Sequence, residues 1–540
     1  MNARKPLSVF VTTALASCAV GPNYHRPSAP VPQHYKEAEG WKPAQPQEAA
    51  SGTDWWSVYE DPALDDLERQ IDISNQTLKA SEAAFREAEA VVSAARAQYF
   101  PTLGVSGEAT RSKGLGSTIG NGSTTTTTGT TGTGTTTGGG TTTGGGTTTG
   151  GGTTTGGGTT TGGGTTTGGT TAVIPSSSHP FNNFNLTADA TWAPDIWGKI
   201  RRTVEGDVAS AQASEADLAA ARLSAQGTLA TDYVELRVTD EMKQLLDETV
   251  QAYQRSLDIT QNQYKAGIVA KADVITAETQ LEGAQSQEIN TGVMRAQLEH
   301  AIAVLIGKPP AELTIAPAKF GTVVPVAPTG VPSSLLERRP DVSAAERTMA
   351  SANAQIGVAI SAYFPDLTLN GSYGFSSEVL HGLISTPNNV WSFGGQLADT
   401  VLDFGARSAQ VRQARAAYDQ AVANYRQTVL TAFQNVEDQL AALRILEQQY
   451  AVQDRTVNSA NEAVRLTLNE YKAGTVAYTA VVTAQATALA DAQTLLTIRQ
   501  NRLTASIALI QALGGGWSVA DVKYDGGLKG EPAPASSGAP

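Results

Sequence analysis

The chain of 540 residues contains a single cysteine, Cys18. A disulfide framework is thereby excluded, and so is any site built from several thiolates. The five histidines (His25, His34, His179, His300 and His381) lie too far apart for the local spacing of a zinc motif, so no metal site is expected. Charge is scarce, at 16% of residues against about 25% in an ordinary globular domain. The balance of 38 basic and 51 acidic residues gives −13, which argues against the basic patch that nucleic acid needs. No apolar run is long enough to cross a bilayer as a helix. No catalytic Ser, Cys or His motif is found, and Gly307-Lys308 lacks the upstream glycine of a phosphate loop. Neither an enzymatic activity nor a cofactor is expected.

Proline is missing from two long blocks, one between Asp195 and Lys308 and one between Asn388 and Glu531. Proline breaks helix interiors, so both blocks predict long helices. Residues 406–473 also lack glycine and are rich in Ala, Gln, Leu and Arg. As one helix they would extend for about 100 Å. Their apolar stripe is narrow: Val411, Tyr418, Val422, Tyr425 and Val429 recur at helical spacing between small and polar residues. A plain coiled coil and a helix in a tube wall both fit that stripe.

What is abundant is local. The stretch 124–171 consists of 48 residues of Thr and Gly alone. A tract so poor in apolar residues builds no core and belongs in water.

The rest is duplicated. Tyr264-Lys265-Ala266-Gly267 returns as Tyr471-Lys472-Ala473-Gly474, and Gly198 and Gly307 return as Gly405 and Gly514, all 207 residues later. Tyr99-Phe100-Pro101 returns as Tyr363-Phe364-Pro365 at an offset of 264. The offset changes in the interval that holds the Thr/Gly tract, so the first half is the second half plus an insert. Each half predicts a helix, two short strands, a very long helix, a glycine turn and a second helix of roughly 39 residues ending at a glycine cap.

The strand segments alternate. Leu103, Val105, Gly107 and Ala109 interleave with polar residues, as do Phe184, Leu186, Ala188, Ala190 and Trp192, and Leu367, Leu369, Gly371, Tyr373 and Phe375. A fourth segment around Trp391, Phe393, Leu397 and Val401 is less regular. Period two over about ten residues suits a transmembrane strand, apolar toward lipid and polar toward a lumen, although a half-buried soluble sheet gives the same alternation. Four strands cannot close a barrel, for which about eight is the minimum, and lipid tolerates no open edge. Strands that cross a membrane therefore require an oligomer that shares the barrel.

At the N-terminus, Arg4 and Lys5 precede a short apolar stretch, and Leu15-Ala16-Ser17-Cys18 reads as a lipoprotein cleavage box. Cys18 is then the mature first residue, anchored by acyl chains such as palmitate. Residues 1–17 are the signal peptide, 18–60 a lipidated linker, 61–307 the first repeat, 308–335 a connection, 336–514 the second repeat and 515–540 a tail.

These residues resemble a known family. Cys18-Ala19-Val20-Gly21-Pro22-Asn23-Tyr24, Trp55-Trp56, Tyr59-Glu60-Asp61-Pro62-Ala63-Leu64, Arg338-Arg339-Pro340-Asp341-Val342 and the closing Ala512-Leu513-Gly514-Gly515-Gly516-Trp517 are similar to signatures of NodT-type outer-membrane efflux lipoproteins, within the TolC-like outer-membrane factors. The resemblance implies a mainly α fold with transmembrane β. A homotrimer would share a 12-stranded β-barrel, four strands per chain, continued by a long α-helical periplasmic barrel with a small equatorial domain. It implies a passive exit duct for small molecules or drugs, in the outer membrane and coupled to a periplasmic membrane-fusion adaptor and an inner-membrane RND-type transporter. The periplasmic tip would carry the adaptor dock, with Tyr264, Gly267, Tyr471 and Gly474 in it.

The family's tip is often gated by aspartates after the second-repeat turn. The aligned residues here are Ala480 and Thr483, and the matching turn segment Thr475-Val476-Ala477 carries no base. Asp273 keeps the first-repeat position, with Glu278 close behind. Asp273 and Thr483 are thus the gate candidates, in a tip closed by packing and a weak Asp273 ring. Two other functions fit parts of the chain: an outer-membrane duct for secreted proteins, and a non-transporting periplasmic coiled-coil protein that would leave the strands unexplained.

Overall fold

A computed structural model describes residues 19–29, 31–32, 35–37, 54–112, 180–321 and 337–524. The signal segment, Cys18, the Thr/Gly tract and residues 525–540 lie outside the described residues. The elements are α1 (Pro62–Ser74), α2 (Gln76–Ala97), β1 (Thr102–Ser112), β2 (Phe181–Trp192), α3 (Lys199–Lys265), α4 (Lys271–Leu305), α5 (Pro340–Ser361), β3 (Asp366–Ser377), β4 (Asn389–Ala398), α6 (Ala406–Lys472) and α7 (Tyr478–Ala512).

The duplication is kept residue for residue. Helices α3 and α6 each have 67 residues and α4 and α7 each have 35, at the offset of 207, and α2 and α5 each have 22 at the offset of 264. The second helices are shorter than the 39 residues expected, because the turns after Lys265 and Lys472 take up the difference. Glycines in the left-handed region punctuate both repeats alike: Gly198 and Gly405 precede the long helices, and Gly267 and Gly474 form the turns, with φ of 78° and 77°.

The chain divides into two compact units. The smaller, Leu103–Thr191 with Asn370–Gly394, holds most of an antiparallel sheet in the order β1-β2-β3-β4. Its two faces differ as the alternation predicts. Ser106 hydrogen-bonds Thr187 at 2.8 Å and lies 3.3 Å from Asp189, and Ser372 meets Ser392 at 2.9 Å. On the opposite face Leu103, Val105, Trp391 and Phe393 are exposed. Gly374 permits the close approach of β3 to β2, since a Cβ there would fall 2.2 Å from the Leu186 carbonyl oxygen. Among the described residues, strands β1 and β4 are left with one open edge each.

The larger unit is helical. Asp61 caps α1, its Oδ1 accepting from Ala63 and Leu64 N–H at 2.9 and 3.2 Å, with Pro62 at the first helical position. Around it Trp55, Trp56, Ile71, Tyr233, Ile302, Phe320 and Ile507 pack into one core, which joins the segment before α1 to both repeats and to the connection after α4. A second core joins Tyr35 to Val429, Phe433, Val436 and Leu509. The predicted stripe on α6 faces inward: Val411, Tyr425 and Val429 are buried, Tyr425 and Val429 lie in this second core, and Tyr418 and Val422 pack against it. Val401 falls beyond β4, because the Arg407 guanidinium gathers Asp399, the Thr400 carbonyl and Asp403 and turns the chain before it.

Candidate functional site

Two features carry the expected function: the helix-hairpin turns and the sheet. At the turns, Gly267 and Gly474 each end a long helix, and the following residue closes it, Ile268 N–H onto Gln263 O at 2.9 Å and Thr475 N–H onto Glu470 O at 3.0 Å. A Cβ on either glycine would meet nothing within 4 Å, so backbone conformation alone demands glycine.

The four turn residues named from sequence fare differently. Tyr471 is buried, whereas Tyr264 is largely exposed. The Tyr471 hydroxyl donates to Thr260 Oγ1 at 3.3 Å, and its ring lies 5.2 Å from that of Tyr478. Tyr253, Leu257, Leu281 and Val481 complete the cluster, and Gln485 Nε2 donates to Ser256 Oγ at 3.0 Å. Burial pushes the Tyr478 hydroxyl up to about 12 and raises those of Tyr471 and Tyr253, so all three rings stay neutral across the physiological range. The cluster therefore zips α3 of the first repeat to α6 and α7 of the second through neutral aromatic packing.

Sequence reading missed Tyr253, Ser256, Thr260, Tyr478 and Gln485. The available signal was the face formed by Tyr253, Leu257 and Thr260, spaced four and three apart.

The gate candidates are locally engaged. Asp273 Oδ2 accepts from Ala270 N–H at 3.3 Å, satisfying a free amide at the start of α4. Thr483 Oγ1 donates to Thr479 O, one turn back on its own helix, at 2.9 Å.

The N-terminal strap gives Cys18 its context, though Cys18 itself lies outside the described residues. Val20 N–H donates to Trp197 O, and Arg202 donates to Val20 O, Gly21 O and Asn23 Oδ1. The strap then runs across Asn353, Glu346 and Tyr425 to Glu437. Residue 19 is thus held beside the start of α3.

Comparison with known proteins places this architecture. The sequence profile described as "Outer membrane efflux protein" matches residues 153–308 and 331–515. The chain is 26% identical over 521 residues to the probable efflux pump outer membrane protein TtgC of Pseudomonas putida, covering 95% of each. It is 25% identical over 516 residues to the probable outer membrane lipoprotein SilC of Salmonella typhimurium, covering 95% of this chain and 99% of that one. Among solved structures, the outer-membrane channel OprN superposes with a TM-score of 0.77 at 24% identity, over 93% of this chain and all of that one.

Proposed function

Because the chain belongs to the outer membrane efflux protein family, and is an outer-membrane channel component of an efflux system, we propose that it works as a lipid-anchored homotrimer that releases small molecules outside the cell. The sheet carries this reading. It has one apolar and one polar face and two open edges, and three copies close it into twelve strands with the apolar face to lipid. A channel that is a passive duct needs no substrate pocket, so cargo is chosen by its partners. Those partners are a periplasmic membrane-fusion adaptor and an inner-membrane transporter of the RND type.

Cys18 is the acylated residue in this proposal, in keeping with the lipoprotein name of the Salmonella relative. Val20, whose N–H donates to the Trp197 carbonyl, brings the anchor to the start of α3. The turns at Gly267 and Gly474, with Tyr264 and Tyr471, form the adaptor dock. The tip is shut by the packed Tyr253-Tyr471-Tyr478 cluster, with Asp273 as its charged element. The absence of a base at Thr475-Val476-Ala477 makes Asp273 a weaker lock than an ion pair would be.

Outer-membrane fractionation followed by electrophoresis with and without boiling tests this. Heat-modifiable trimers in the outer membrane, lost from the lipidated fraction on Cys18→Ser, are the expected result. A chain recovered as a periplasmic monomer would overturn it.

A further inference from the structure

The sheet sorts its charge by face. Ser106 bonds Thr187, Ser372 meets Ser392, and Ser376 donates to Asn183 Oδ1 at 3.4 Å. The even-numbered residues of β1, β3 and β4 therefore share the polar face with the odd-numbered residues of β2. Contacts at glycines mark the other face. A Cβ on Gly107 would meet Leu186 Cδ1 at 3.9 Å, and one on Gly371 would meet Phe393 Cδ2 at 3.7 Å. Among the strand residues, the acids Glu108, Asp189 and Asp366 all fall on the polar face. The apolar face carries a single charge, and it is basic: Arg111.

Arg111 stands at one end of that face. β1 follows α2 directly and β2 leads directly into α3, so Thr102 and Trp192 lie at the helix end of their strands, and Ser112 and Phe181 at the far end. In an outer-membrane channel with periplasmic helices, that far end meets the outer leaflet. The contacts of Ser106 with Thr187 and of Thr110 Oγ1 with the Asn183 carbonyl put Arg111 opposite Asn182. The bond between Ser376 and Asn183 sets Ser377, the last residue of β3, at the same height, two strand spacings or about 10 Å away. Below this rim on the apolar face come Phe184 and Leu186 on β2 and Tyr373 and Phe375 on β3, the last two edge to face with ring centroids 6.1 Å apart. Arg111 is exposed, and no hydrogen bond or ion pair engages its guanidinium among the described residues. Glu378, one residue beyond β3, is also exposed and makes no ion pair with it.

We propose that Arg111 binds the phosphate of an outer-leaflet glycolipid whose acyl chains lie down the apolar face over Phe184 and Phe375. A charge on a lipid-facing strand is costly at mid-membrane and tolerated at the interface, which is where phosphorylated headgroups sit. A guanidinium offers phosphate a planar fork of parallel N–H donors. The occupant is a lipid rather than free phosphate because the cation is continuous with the apolar face. One amphiphile satisfies both, with its headgroup on Arg111 and its chains on the aromatic rings. The opposite face is unsuited to it, since Glu108 and Asp189 repel phosphate. Three copies in a shared barrel give three such sites at one height. The site rests on the trimer reading, in which the apolar face meets lipid, and adds a defined lipid to it.

Native mass spectrometry of the full-length trimer tests this, after reconstitution in phosphatidylcholine nanodiscs containing bisphosphorylated lipid A. Lipid A is expected to stay with the parent trimer, and R111Q should weaken its retention roughly five- to tenfold. R111K keeps the charge without the fork and should fall between the two. K79Q, which removes an exposed base from α2, should change nothing. Lipid A stripped of phosphate should bind the parent as weakly as the phosphorylated form binds R111Q. That arm uses the parent chain and decides the matter even if R111Q does not assemble: equal retention of both lipids would overturn the phosphate contact. Millimolar inorganic phosphate should fail to displace the lipid, and full displacement would overturn the lipid as occupant. Unchanged retention in R111Q, with a lower trimer dissociation temperature in lipid-free detergent, would overturn the site and assign Arg111 to the neighbouring protomer. Failure of the parent chain to form trimers would instead overturn the trimer reading itself.

Discussion

Helices α5 and α2 have the same length and the same place in their repeats, yet they live in different surroundings. Met349 on α5 is fully buried, and its counterpart Phe85 on α2 is half-buried against Tyr524. The difference is not in propensity or pattern but in which neighbour the chain itself supplies. A tandem duplication folded side by side covers one flank of each repeat and leaves the other for another copy.

That comparison can be broken or sharpened, beginning with the largest effect. Gly514 closes the second repeat with φ of 97°, and a Cβ there would lie 2.0 Å from Arg338 O, whereas Gly474 at the tip has an unobstructed Cβ position. Gly514→Ala combines backbone strain with a clash and is expected to cost roughly 2–6 kcal/mol, against about 1–2 for Gly474→Ala. Trimer yield and dissociation temperature measure both, and equal effects would contradict the distinction. Next, Met349→Ala should destabilise by about 2–4 kcal/mol and Phe85→Ala by less, because a half-exposed side chain leaves a smaller cavity. Denaturant midpoints of the solubilised protein would reveal the order.

The third prediction concerns pH. Glu68 on α1 is buried with neither carboxyl oxygen hydrogen-bonded, and desolvation lifts its pKa to about 9. The folded state therefore holds a proton that the unfolded state releases near pH 4.5. Stability is full below that value and declines as pH rises toward 9, by at most about 1.4 kcal/mol per pH unit. Glu68→Gln should flatten the dependence of dissociation temperature on pH, and an unchanged slope would place the titration elsewhere. The smallest effect belongs to Asp273→Ala, which removes a helix-start carboxylate worth about 0.3–1 kcal/mol. Its informative readout is single-channel conductance, expected to rise slightly because the tyrosine cluster still holds. Conductance unchanged from the parent would remove Asp273 from the gate.

Much of this architecture was legible in the sequence. The proline-free blocks marked α3, α4, α6 and α7, and the recurrent Tyr-Lys-Ala-Gly marked the turns, because proline and glycine act through local sterics that any context preserves. The alternation located all four strands but overran β4 at Val401, where long-range ligation by Arg407 decides the boundary. The turn cluster was half legible. Tyr471 stood out because it recurs, but Tyr253 and Tyr478 join it only through packing between repeats, and no spacing within one helix encodes that. The burial of Glu68 was invisible for the same reason.

The strap between Val20 and Glu37 has a mechanical consequence. It is fastened in succession to Trp197, Arg202, Asn353, Glu346, Tyr425 and Glu437, so it stitches α3, α5 and α6 together from outside the helix pairings. A pull applied at an acylated residue 18 would be spread over many such fastenings on three helices. Membrane tension would then reach the body of the protein as a distributed load, and the anchor could flex without prising any one helix from its neighbours.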